Sequence, residues 1–340
     1  MTSRGLNMKY YEDYRQAARM ISEKTGIPVS RSESSLVSFT PYVDNNCSAA
    51  CRFCSERLTK NGQTSRCVGI CRDYEQRLEA ALSRLQGKQV FLSVSGKEPT
   101  ESPGQLKTIC RAACKAKAQG LSVSEAVLYT NLSGFCKYGE ELEKTLCALP
   151  LSRIEFSRHH FDENVNQSIM QFRPGEEIKS NRALACVVRK LSESFPMKAV
   201  CVLQKTGVAD IDGVQRYVEF ARSLGVRDVV FRELAVFDGS VDKGNTADYI
   251  ISERVEIWEL LPYLLQSPFE LSGIREGYYY FSFSCNYRDM RVSFEMSDYE
   301  EMERQHAGSI LHKLILYPDG MLCRSWNKKG IVEDDDGKLF

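Results

Sequence analysis

The chain has no uninterrupted apolar run near the roughly 18 to 20 residues that cross a bilayer, which excludes a helical membrane span. It has no excess of either charge, since 45 Lys and Arg face 45 Asp and Glu. No global field therefore draws it to nucleic acid or to an anionic membrane. The segment Met1 to Tyr10 lacks the apolar centre of an export signal. Thirteen cysteines are an odd number, and disulfide frameworks belong to small exported domains, so a reducing cytoplasm is expected. Internal repeats and low-complexity segments are missing too. So is a GxGxxG phosphate fingerprint after the first strand, which argues against a dinucleotide-binding doubly wound sheet.

At 340 residues the chain can bury the core of one large α/β domain or two ordinary ones. Tyr14, Ala17, Ala18 and Ile21 share one side of a helix predicted over Tyr10 to Lys24, stopped at Gly26 before Pro28. A strand over Leu36 to Val43 and a helix over Asp73 to Leu85 follow. Short apolar strands are then predicted at Gln89 to Val94, Ala126 to Asn131, Arg153 to Ser157, Lys198 to Leu203 and Asp228 to Glu233, with helices near 105–119, 140–148, 179–194 and 213–224 between them. Such alternation predicts parallel βαβ units with right-handed crossovers. The fold class is α/β, and with the fingerprint missing we favour a partial (β/α)6 TIM-like barrel over a doubly wound sheet. Active residues are expected on loops at the C-terminal ends of its strands.

A helix over Ser252 to Leu265 precedes a shift to β composition at 277–283, 290–296 and 309–317, with Pro318-Asp319-Gly320 as a turn. These segments predict a small C-terminal antiparallel β cap. The expected division is an N-terminal helical extension over 1–35, the barrel over 36–250 and the cap over 251–340, its acidic tail Glu333 to Asp336 frayed.

Directly after the first strand stands Cys47-Ser48-Ala49-Ala50-Cys51-Arg52-Phe53-Cys54. Its three thiols can fold round one soft metal centre, because so short a loop has little closure entropy left to lose. Structural zinc takes four protein ligands, and iron-sulfur clusters usually take four cysteines. A set of three suggests a position left for something other than protein. Cys67 and Cys71 follow closely, so the alternative is a zinc or iron-sulfur knuckle in a binding module without catalysis.

The CxxxCxxC spacing, with an aromatic residue before the last cysteine, resembles the signature of the radical SAM enzymes. The resemblance implies that Cys47, Cys51 and Cys54 hold one 4Fe-4S cluster whose fourth iron is chelated by S-adenosylmethionine (SAM), with Phe53 beside the adenine. Ser95-Gly96-Lys97-Glu98-Pro99-Thr100 is similar to the family's GGEP segment, which receives the amino group of SAM; Gly96, Glu98 and Pro99 match, and Lys97 replaces the second glycine. Read by itself it is a polar turn, in which a glycine permits close backbone approach and a carboxylate can meet an ammonium. Thr130-Asn131 is similar to the TNG ending of the molybdenum-cofactor-type branch, with Leu132 in place of glycine. The two would face SAM or substrate.

Ser157 falls where the family places a serine near the SAM ribose, and Arg173 where it often has a basic residue near the cofactor. His159 and His160 follow the fourth strand and suit proton transfer or an anionic substrate, their unperturbed pKa being ~6.5; alternation turns only one inward. Gln204 closes the fifth strand. Phe231-Arg232-Glu233-Leu234 resembles the RFIEL segment of the same branch, and Arg232 can fork onto an anion or pair with a barrel-end carboxylate such as Glu233.

Cys285 and Cys323 are the only cysteines of the C-terminal part. Tyr317 to Cys323 looks like the PDG-and-cysteine element of auxiliary-cluster (SPASM or twitch) caps, which need more cysteines than these. A degenerate cap without a second cluster is expected, with hydrogen-atom donation the use considered for Cys285 or Cys323. The resemblance implies an enzyme that reductively cleaves SAM to a 5'-deoxyadenosyl radical and removes hydrogen from a polar small molecule. A flavodoxin- or ferredoxin-type donor would supply the electron, and a peptide is the rival substrate.

Overall fold

Alternation along the strands decides how the sheet sits. In Arg153–Ser157, Ile154 and Phe156 are fully buried in the main apolar core, so Glu155 and Ser157 must face the other way. The computed structural model describes residues 9–31, 36–44, 47–60, 69–236, 242–266 and 268–326. Its main strands are β1 Val29–Arg31, β2 Leu36–Pro41, β3 Gln89–Val94, β4 Ser122–Thr130, β5 Arg153–Ser157, β6 Met197–Val202, β7 Asp228–Arg232, β8 Glu270–Glu276, β9 Tyr280–Tyr287, β10 Met290–Ser297, β11 Lys313–Leu316 and β12 Leu322–Cys323. Its helices are α1 Lys9–Thr25, α2 Tyr74–Arg84, α3 Pro103–Ala118, α4 Ser133–Cys147, α5 Glu163–Met170, α6 Asn181–Ser192, α7 Ile211–Ser223, α8 Asn245–Glu253, α9 Ile257–Leu264 and α10 Tyr299–His306.

These strands form one sheet in the order β1-β8-β9-β10-β7-β6-β5-β4-β3-β2-β11-β12. Strands β2 to β7 are consecutive parallel neighbours, separated in sequence by helices α2 to α7. The sheet curls into a half-barrel, the α/β partial barrel expected. The C-terminal strands are present and continue that sheet at both edges. The antiparallel run β8-β9-β10 joins at β7, where Phe294 pairs in parallel with Phe231, and β11 joins at β2, where Lys313 pairs with Ser38. Helix α10 thus carries the chain from one edge of the half-barrel to the other. Between β11 and β12, Gly320 closes the expected turn with its N–H on the Tyr317 carbonyl at 2.9 Å.

The helix expected over Ser252 to Leu265 is two helices, because Arg254 takes extended backbone between α8 and α9 and bridges to Gln204. Helices α5 and α10 have no counterpart in the sequence reading. Both are short and polar, and each starts on an aspartate cap: Asp162 accepts from the Asn164 and Val165 N–H groups, Asp298 from those of Glu300 and Glu301. Helix α1 packs as expected. Tyr14 stacks on Trp258 at 5.1 Å, and the Tyr10 and Tyr14 hydroxyls donate to the buried Glu233 carboxylate, which also accepts from Ile257 N–H at 2.6 Å. Among the described residues no helix is long and apolar enough to cross a membrane.

Candidate active site

The cysteine loop leaves the C-terminal end of β2 and is tied along the end of α5. Ala50 N–H donates to the Met170 carbonyl at 3.0 Å, Arg52 N–H to that of Ile169 at 3.1 Å, and Arg173 N–H to that of Ser48 at 2.9 Å. Within the loop Cys54 N–H donates to the Cys51 carbonyl at 3.1 Å. Cys47, Cys51 and Cys54 are free, half-buried thiols. Burial pushes Cys47 up to about 12 and raises Cys51 and Cys54 as well; at Cys51 the neighbouring Cys54 and Cys47 add to the effect. Among the described residues no three His, Cys, Asp or Glu side chains already converge as a metal site. Three soft thiols on one anchored loop are nevertheless the donor type that iron-sulfur clusters use.

The next two strand ends are bonded to this loop and to each other. Val43 N–H donates to the Ser95 carbonyl and Lys97 N–H to that of Val43, both at 2.9 Å. Gly96 lies at φ +133°, and a Cβ there would stand 2.2 Å from the Val43 oxygen, so this position requires glycine. Lys97, which replaces the second glycine of the resemblance, pairs with Asp44 at 2.5 Å. Glu98 is buried, and its carboxylate accepts from Thr100 Oγ1 at 2.6 Å, Thr130 Oγ1 at 2.5 Å and Asn131 N–H at 2.6 Å. Burial raises its pKa despite those donors. Asn131 Nδ2 donates to Ser48 Oγ at 3.1 Å and reaches Cys47 Sγ at 3.7 Å. Leu132, standing for the glycine of TNG, holds φ +67°, the left-handed conformation that a glycine would adopt freely.

His159 turns inward. It is buried, meets Phe53 edge-to-face at 4.9 Å, and its Nδ1 accepts from Val202 N–H at 3.1 Å, which leaves the proton on Nε2. Desolvation lowers its pKa to about 3. His160 is engaged locally, its Nδ1 accepting from Asp162 N–H at 3.0 Å. The side chain of Gln204 is buried, and its Oε1 accepts from the Tyr249 hydroxyl at 2.6 Å. Ser157 is half-buried at the end of β5, whereas Arg173 is exposed beside the cysteine loop.

On the concave face Arg232 does not pair with Glu233. It donates to Glu155 and to Glu295, each at 2.9 Å, because Glu233 points to the opposite face, into the α1 cluster. Glu155 also takes Arg153 at 2.8 Å. Burial opposes its ionisation, yet Arg232, Lys198 and Arg153 outweigh that and hold it below the usual carboxylate range. Tyr129 lies under the Arg232 guanidinium at 5.9 Å. The sequence reading missed Tyr129, Glu155 and Glu295. For Glu155 and Glu295 the signal was charged or polar residues at every second position of otherwise apolar strands.

The structure does not bring the C-terminal cysteines to the loop. Cys285 is fully buried in the main core, and Cys323 in a separate cluster with Tyr42, Ile315 and Tyr317. Cys71 packs against the Pro318 to Gly320 turn, its N–H on the Pro318 carbonyl at 2.8 Å. Cys67 and the acidic run Glu333 to Asp336 lie outside the described residues.

No family model and no curated protein matches the chain. Among solved structures it is similar to Streptococcus suis SuiB bound to precursor peptide SuiA, with a TM-score of 0.52 and 13% identity over 98% of this chain and 69% of that one. It is also similar to Streptococcus suis SuiB bound to S-adenosylmethionine, with a TM-score of 0.52 and 14% identity over 97% of this chain and 68% of that one. At these identities the likeness is one of fold.

Proposed function

We propose that the chain is a radical SAM enzyme carrying one 4Fe-4S cluster on Cys47, Cys51 and Cys54. The observation that carries this reading is the seating of the cysteine triplet at the C-terminal ends of a parallel half-barrel, with the Asn131 amide turned to Cys47 Sγ at 3.7 Å. The fold likeness to a protein solved with S-adenosylmethionine supports it. When bound, cluster and SAM supply one-electron cleavage of the sulfonium and a radical that takes hydrogen from an unreactive carbon.

The chain's own residues hold and orient. Glu98 locks the ends of β3 and β4 together through Thr100, Thr130 and Asn131, which leaves the backbone at Gly96 and Lys97 for the SAM amino group. Phe53, braced by His159, would lie beside the adenine of bound SAM, and Ser157 near its ribose. His159, neutral throughout the working pH range, is a hydrogen-bond donor rather than a proton carrier. Thr130, Asn131 and Arg232 are the marks of the molybdenum-cofactor-type branch, and the C-terminal strands, built into the edges of the barrel sheet, are the remnant of a cap that has lost its cluster.

The charged concave face with Arg232, Glu155 and Glu295 suits a polar substrate, and a small molecule is the first reading. A peptide is the second, favoured by the neighbour solved with a precursor peptide. The electron donor is of flavodoxin or ferredoxin type, and the compartment is the cytoplasm. Anaerobic reconstitution tests the class: about four irons per chain, lost on Cys51→Ala, with 5'-deoxyadenosine released from SAM under dithionite. Bound zinc without SAM cleavage overturns the reading in favour of a binding module.

A further inference from the structure

Far from the cysteine loop in sequence, four basic side chains gather where α10 ends and β11 begins. His306, His312 and Lys313 are each more than nine-tenths buried. Arg324, just past β12, closes the group with its Nη2 on the Gly308 carbonyl at 2.9 Å and the Ile310 carbonyl at 3.0 Å. Two aromatic rings wall it. Tyr278 stacks on the His312 ring at 4.1 Å and shares a hydrogen bond of 3.1 Å with His306 Nε2, while Lys313 Nζ lies 4.5 Å over the Trp326 ring. Tyr278, Arg324 and Trp326 are half-buried and form its solvent side.

Two features are costly as they stand. Among the described residues neither Lys313 nor Arg324 meets a carboxylate in an ion pair, and the Lys313 ammonium is buried with its charge uncompensated. His306 Nδ1, His312 Nε2 and Arg324 Nε are buried and have no hydrogen-bond partner among the described residues. Buried cations and buried nitrogens without partners both carry penalties of a kind that proteins normally satisfy. One group would satisfy all of them: an anion with several acceptor oxygens.

We propose that His306, His312, Lys313 and Arg324 form an anion-binding site that takes a carboxylate or phosphate group of a ligand. Its electrostatics agree. Burial lowers His306 to about 4 and Lys313 to about 8, and at His306 the charges of Lys313, His312 and Arg324 push the same way. An oxyanion reverses each of these effects, since it favours the charged form of every cation around it.

The test uses the full-length chain, with inorganic phosphate and acetate as separate probes. Histidine NMR titrations are expected to move His306 and His312 upward by at least about one pKa unit in saturating anion. Phosphate acting alone identifies a phosphoryl ligand, and acetate acting as well identifies a carboxylate. Lys313→Met keeps the stem over Trp326 and is expected to weaken binding by calorimetry at least tenfold; Arg324→Met repeats the measurement should the first variant fold poorly. Histidine pKa values that stay put in both anions overturn the site. So does anion binding of equal strength in both variants.

Discussion

Neutral His159 makes the chain sensitive to acid in a defined direction. In the folded chain its imidazole stays uncharged down to about pH 3, whereas in the unfolded chain it takes a proton near ~6.5. Its stabilising contribution is therefore complete above pH ~6.5 and lost as pH falls toward 3, at up to about 1.4 kcal/mol per pH unit. His159→Gln, which keeps an acceptor for Val202 N–H, is expected to flatten that loss when urea midpoints at pH 5 and pH 7 are compared. Leu132 sets two effects against each other. Leu132→Gly relieves about 1 kcal/mol of left-handed backbone cost but empties a fully buried site, which costs about 2–5 kcal/mol. The core term is larger, so the variant is expected to unfold at a lower urea midpoint. At this scale the cysteine triplet was legible because its residues are contiguous. The bracing of Phe53 by His159 was not, because it joins positions more than a hundred residues apart.

Among elements, β5, β7 and β10 act together through one guanidinium. Arg232 joins Glu155 on β5 to Glu295 on β10 across the concave face. Arg232→Met leaves Glu155, which is almost fully buried, with less compensation, and is expected to cost about 2–4 kcal/mol in urea unfolding. Under the proposed function the same change is expected to raise KM more than it lowers kcat, because Arg232 lies on the face assigned there to the substrate. Strands β3 and β5 were legible to the residue, β3 as an apolar run and β5 by its alternation, each bounded by turn positions. The neighbours of β7 were only half legible. Strand β6 follows the βαβ rule, but β10 arrives from some sixty residues downstream, and nothing local announces such a pairing. Helices α5 and α10 stayed hidden because eight mostly polar residues hold too few apolar positions to mark a face against the surrounding loops.

For the molecule as a whole, the cysteine loop is fastened by the chain's own backbone. Backbone hydrogen bonds from Ala50, Arg52 and Arg173 fasten it to the end of α5 and the turn beyond. Under the proposed function Cys51→Ala is accordingly expected to abolish iron loading while shifting the stability of the unloaded chain by less than about 1 kcal/mol, as thermal melts of both forms would show. The two ends of the sheet carry a different consequence. Among the described residues the twelve-stranded sheet ends in two edge strands with a neighbour on one side only, and such rows of peptide groups are the usual template on which chains add to one another and precipitate. Here those outermost rows are three residues long at Val29–Arg31 and two at Leu322–Cys323. So little exposed backbone gives a second copy almost nothing to zip onto, which guards an open architecture against fibrous growth.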